Sequence, residues 1–143
     1  MGPLDARRGH RVSYVLDTTI VIDHVDGYAP ATELLDRLVE ETGQLYICDV
    51  VTCEALSKGD AVAIAYRRRL LDGFEYVGLA PDDAAWAGQQ RRDLRSSGRR
   101  AASTTDALIA ALAHSLGATV VTRNARDFEA FDVPVLGYGE PSV

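Results

Sequence analysis

The chain has 143 residues, a formal net charge of −6, 47% apolar residues and 25% charged ones. That length suffices for one domain with a buried core, and the composition excludes a disordered tail. No apolar run approaches the length needed to span a bilayer, and an acidic chain is poorly suited to sequence-blind binding of nucleic acid.

Residues 1–11 are polar and read as a flexible N-terminal arm, leaving 12–143 as a single domain. The first apolar stretch, 12–22, contains Asp17, which argues against a cleaved signal peptide and for a cytoplasmic protein. Residues 12–16 predict a strand, and Asp17-Thr18-Thr19 can open a helix at once. A second helix is expected from Pro30 to about residue 41, with Leu34, Leu35, Leu38 and Val39 on its buried side and Gly43 as its stop. Residues 45–48 predict a strand and 49–57 a short helix carrying Glu54. Cys48 and Cys53 lack the spacing and partners of a zinc site and are too few for a disulfide framework, so both are expected to be buried, reduced thiols.

A helix over 60–71, a strand over 74–79 and an amphipathic helix from Pro81 to near Gly98 follow. The next helix is almost wholly apolar; it opens at Asp106 and stops at Gly117. Strands over 118–122 and 133–136 complete the chain. Strand–helix alternation of this kind predicts an α/β fold with a central parallel sheet. All but one of the 15 cations are arginines, with runs at Arg67-Arg68-Arg69, at Arg91-Arg92 with Arg95, and at Arg99-Arg100. Arg92, Arg95 and Arg99 share a helical face; they are either a basic flank able to meet a nucleic-acid backbone or a plain solvated surface.

In a parallel sheet, helix N-termini and strand C-termini share the rim where ligands bind. Asp17, Glu54, Asp106 and Asn124 are all candidates for that rim. Each also has a local explanation: Asp17 as a helix cap, Glu54 as a surface residue, Asp106 as part of a capping box with Ser103, Asn124 and Asp127 as turn formers. If the carboxylates gather, their repulsion must be relieved by sharing a proton or by binding a cation. With hard oxygen donors and no histidine or thiolate nearby, Mg²⁺ or Mn²⁺ is the favoured relief.

The segments Val15-Leu16-Asp17-Thr18, Glu54-Ala55-Leu56, Asp106-Ala107-Leu108-Ile109-Ala110-Ala111 and Thr122-Arg123-Asn124-x-x-Asp127-Phe128 resemble the PIN domain, and more narrowly the VapC-type toxins of bacterial toxin–antitoxin pairs. The resemblance runs in order over residues 12–137, with its C-terminal motifs the more specific. It implies a three-layer α/β/α sandwich and a metal-dependent endoribonuclease that leaves a 5′-phosphate and a 3′-hydroxyl. It assigns metal-binding and catalytic roles to Asp17, Glu54 and Asp106, with Asn124 in a fourth position where many members carry Asp. Asp127 either compensates there or buttresses the loop, and Thr18 and Thr122 correspond to water-positioning or supporting hydroxyls. It also implies an RNA substrate (tRNA, rRNA or mRNA), a VapB-like antitoxin and a homodimer. Two other classes share features with the chain. A phosphate-accepting receiver or aspartyl phosphatase also uses an acid after the first strand, but Lys58 is the only lysine and position 19 is threonine. A PIN-like module that binds RNA or protein without cutting is the other.

Overall fold

The computed structural model describes residues 12–41, 43–99 and 102–141. The expected arm over residues 1–11 lies outside the described residues. In chain order the elements are β1 (Ser13–Leu16), α1 (Thr18–Val25), α2 (Ala29–Glu40), β2 (Gln44–Ile47), α3 (Asp49–Ala55), α4 (Ala61–Asp72), β3 (Glu75–Tyr76), α5 (Pro81–Ser96), α6 (Thr104–Leu116), β4 (Thr119–Thr122), a 3₁₀ turn (Ala125–Phe128) and β5 (Val135–Gly137).

The five strands form one parallel sheet in the order β3-β2-β1-β4-β5. The chain therefore builds outward from β1 to β3, then crosses back to lay β4 on the other side of β1, with Val15 opposite Val120. Parallel crossovers are right-handed, so this reversal of direction puts the two groups of connecting helices on opposite faces. Helices α1, α2 and α4 pack with one another on one flank, and α5 packs with α6 on the other. The sheet flanked by helices is the α/β/α arrangement expected from the alternation of elements.

Burial explains the strand composition. Val15 and Leu16 on β1 and Val120 and Val121 on β4 are fully enclosed, as strands covered on both faces must be. Helix α6 is enclosed nearly all round: Ala107, Ile109, Ala110, Ala111, Leu112 and Ala113 are buried. Its alanines let it lie close to β1, β4 and α5, while Ile109 and Leu112 fill the remaining volume at about 1.5–3 kcal/mol each. Ser103 caps the helix by accepting the Asp106 amide at 3.0 Å. Gly117 ends it in the left-handed conformation, φ +63°, that glycine adopts without strain.

Some expectations need correction. Val39 is 56% exposed, because it lies about 140° around the helix from Leu34 at 100° per residue, at the edge of the Leu34–Leu35–Leu38 stripe. The strand expected over 74–79 pairs only over Glu75–Tyr76, extended by one bond from the Val77 amide to the Ile47 carbonyl. Cys48 is buried but Cys53 is exposed, since it lies about 200° around short α3 from Val51, on the face opposite buried Val51 and Ala55. Arg67 does not join a surface run. It is buried, and its guanidinium donates to the carbonyls of Ala55 (3.1 Å) and Lys58, closing the end of α3.

Candidate active site

The switch in strand order falls between β1 and β4, and a crevice opens beyond the carboxyl ends of strands at such a point. Asp17 is the first residue past β1, and its amide continues the ladder by donating to the Val121 carbonyl at 2.9 Å. Its side chain makes no cap bond to α1. Instead Oδ2 receives two hydroxyls, Thr122 Oγ1 at 2.7 Å and Thr19 Oγ1 at 3.2 Å.

The direction of these bonds is fixed. Thr122 Oγ1 accepts the Asn124 amide at 3.0 Å and Thr19 Oγ1 accepts the Arg123 amide at 3.0 Å. A hydroxyl that accepts from an N–H turns its own proton elsewhere, here onto Asp17. The two threonines thus tie one carboxylate oxygen to the turn that follows β4. Thr18 serves a different acid, donating to Glu54 Oε1 at 2.6 Å across 36 residues of sequence.

Asp17 is only 5% exposed. Burial pushes its carboxyl above the usual carboxylate range, opposed by the hydrogen bonds from Thr122, Thr18 and Thr19 and reinforced by the charge of Glu54. Asp106, in the first turn of α6, is half-buried and pushed up to about 6. Burial is the largest cause, followed by the charge of Asp17, with smaller contributions from Asp127 and Glu54 and a lowering by Ser103. The acids at 17, 54 and 106 are therefore within electrostatic reach of one another although far apart in sequence. Among the described residues no cation pairs with any of them.

The donor chemistry of this rim fits a hard divalent cation: mutually repelling carboxylates, Asp17 buried, Asp106 half-buried and Glu54 exposed on α3, with no imidazole among them. The fit is that of a pair rather than a closed cage. Among the described residues no group of three acidic, histidine or cysteine side chains is arranged to hold a metal ion.

Asn124 opens the turn after β4; it is half-buried and lines a cavity of about 850 Å³ together with Arg123, Arg126, Asp127, Tyr138 and Gly139. Asp127, exposed on the 3₁₀ turn, donates its amide to the Asn124 carbonyl at 3.0 Å. A second cavity, about 480 Å³, is bordered by Asp106, Ser103, Arg99, Arg126 and Asp127. The three arginines expected on one helical face do not share one: α5 ends at Ser96, so Arg99 lies beyond it and lines the smaller cavity, whereas Arg92 and Arg95 are exposed on α5 and line neither. Sequence reasoning missed Thr19 and Arg126. Nothing local distinguishes which of two adjacent threonines turns toward Asp17. Arg126 sits inside the Asn124–Asp127 motif with no periodicity to mark it.

Comparison with known proteins adds to this geometry. Residues 14–134 match the family model described as PIN domain. The chain is 30% identical over 117 residues to Ribonuclease VapC19 of Mycobacterium tuberculosis, covering 82% of this chain and 93% of that protein. In three dimensions it is similar to VapBC2 from Rickettsia felis bound to a promoter DNA fragment, with a TM-score of 0.78, 20% identity and coverage of 90% of this chain and 100% of that one. It is also similar to VapBC-5 from Mycobacterium tuberculosis, described as a member of the VapBC family of toxin–antitoxin systems, with a TM-score of 0.63, 25% identity and coverage of 88% and 98%.

Proposed function

Since the chain belongs to the PIN domain family, and within it to the VapC ribonuclease toxins, we propose that it is a metal-dependent endoribonuclease held in check by a cognate antitoxin. The observation that supports this reading is that Asp17, beside the switch point of the sheet, and Asp106 lie within electrostatic reach of one another, so that the charge of Asp17 raises the carboxyl of Asp106.

The residues divide the work as follows. Thr19 and Thr122 commit Oδ2 of Asp17 and hold its side chain against the turn that follows β4. Asp106 approaches from the opposite flank on a capped helix end, and Glu54 is steadied by Thr18. Mg²⁺ or Mn²⁺ bound by Asp17 and Asp106, with Glu54 beside them, would acidify a water and screen charge on the scissile phosphate. Asn124 presents an uncharged polar group from the larger cavity in the fourth position, with Asp127 supporting its turn. Arginines on the rim offset the repulsion between an acidic protein and a polyanion.

A surface for the antitoxin lies on the other flank. A groove of about 610 Å³ between α1, α2 and α4 is lined largely by apolar groups, including Val25, Leu35, Val39, Tyr66 and Phe74. Val39 and Tyr66 are each 56% exposed, and the apolar stripe of an amphipathic helix suits such a groove. The similar solved structures named VapBC support an antitoxin partner, and a homodimer of the toxin belongs to the same proposal.

Purified protein incubated with total RNA is expected to cut in Mg²⁺ and not in EDTA, and to lose cleavage as Asp17→Ala or Asp106→Ala, with RNA ends mapped by sequencing. Cleavage that survives either substitution overturns these residue roles. Failure to cut tRNA, rRNA and mRNA alike would replace the nuclease with a PIN-like binding module.

A further inference from the structure

Arg123 and Arg126 lie three residues apart in the turn after β4, yet their charges are used differently. The Arg123 guanidinium stands 4.2 Å over the Tyr28 ring, with Nη1 3.3 Å from Asp23 Oδ1 and Nε donating to the Glu140 carbonyl at 2.5 Å. Asp23 also accepts the Tyr138 hydroxyl at 2.7 Å, and the Tyr28 hydroxyl accepts the Glu140 amide at 3.1 Å. Arg123 is therefore neutralised, and it fastens residues 138–140 as one wall of the larger cavity.

Arg126 is exposed and, among the described residues, makes no ion pair. It borders both cavities: the larger one with Asn124 and Tyr138, and the smaller one with Asp106 and Arg99. Asp127 and Glu129 border both as well. A strand crossing from one cavity to the other would thus meet two carboxylates, and a cation at this junction is what makes the crossing tolerable. A guanidinium meets this need well, since its planar fork matches two phosphate oxygens.

Resting on the ribonuclease reading, we infer that Arg126 is a phosphate-binding residue that holds the backbone of single-stranded RNA where it passes between the two cavities beside Asp106. Arg123 has no such role; it shapes the wall.

The test uses the full chain in EDTA, so that no cutting occurs, titrated against a fluorescein-labelled single-stranded oligoribonucleotide of mixed sequence at several salt concentrations. Loss of one phosphate contact flattens the slope of log affinity against log salt by about 0.7 for a single strand. Arg126→Ala is expected to weaken binding with that loss of slope, Arg126→Lys to keep the slope, and Glu129→Gln to tighten binding. Arg68→Ala, at a side chain exposed on α4, should change nothing. Thermal melts of all four should match the parent, because each side chain is exposed. Arg126→Ala with parental affinity and slope overturns the inference. If the parent cuts RNA in Mg²⁺ while Arg126→Ala keeps its KM, the inference also falls and the nuclease stands. Binding with the expected slope change but no cutting by the parent sinks the nuclease and keeps the inference. A parent that neither binds nor cuts removes both.

Discussion

Thr122 is completely enclosed, and its hydroxyl is committed twice, as donor to Asp17 and acceptor from Asn124. Thr122→Val keeps the shape and removes both bonds, leaving a buried carboxylate and an amide short of a partner. A loss of about 1–3 kcal/mol in urea unfolding is expected, together with a fall in RNA cleavage. Unchanged stability would show that the hydroxyl bonds are dispensable. Asp106 yields a pH prediction. Its folded pKa of about 6 lies above the ordinary 3.8, so the native state binds the proton more tightly than the unfolded chain. The metal-free protein should therefore lose stability as pH rises from about 4 to about 6, and Asp106→Asn should flatten that part of a Tm-against-pH profile. A profile that rises over this interval in the parent would contradict the assignment. Asn124→Asp should keep or raise cleavage, and a tenfold fall would show that the amide itself is required. These positions differ in how well sequence discloses them. Asp17 and Asp106 stand out because each terminates an apolar element, so their placement follows from the fold. Thr19 acts through a bond spanning about a hundred residues, and no neighbouring residue signals that.

At the scale of elements, hydrophobic period and end signals located the strands and α-helices of the described residues but not the 3₁₀ turn at Ala125–Phe128, and they failed where tertiary packing decides. Helix α6 was readable from Ser103, Asp106 and Gly117, and its all-round burial follows from its lack of a polar face. Leu112→Ala in this helix should cost about 2–5 kcal/mol by chemical denaturation. A cost below 1 kcal/mol would mean that α6 is more loosely packed than its burial indicates. Arg67 shows the opposite case. Within Arg67-Arg68-Arg69 it looks like its neighbours, but only this one turns inward, to carbonyls at the end of α3. Charge patterning along a helix cannot reveal that, because the reason lies in a different helix. β3 shrinks to two residues for a similar cause: only the part beside β2 has a partner to pair with.

At the scale of the whole molecule, the candidate active site and the apolar groove occupy different regions, one at the rim of the sheet and one between α1, α2 and α4. Separate surfaces permit separate tests. Val39→Asp places a charge in the groove on a side chain already exposed, so Tm and RNA cleavage should hold while co-purification with the antitoxin is lost. Retention of the complex would move the docking surface elsewhere. The strand order has a consequence for how such a protein is made. β1 sits in the middle of the sheet and precedes the other four strands along the chain, yet its neighbour β4 comes more than a hundred residues later. Domains form only once the contacting segments have emerged, so a partly translated toxin carries Asp17 without Asp106 opposite it. The two acids can face one another only after α6 and β4 have emerged and packed against β1.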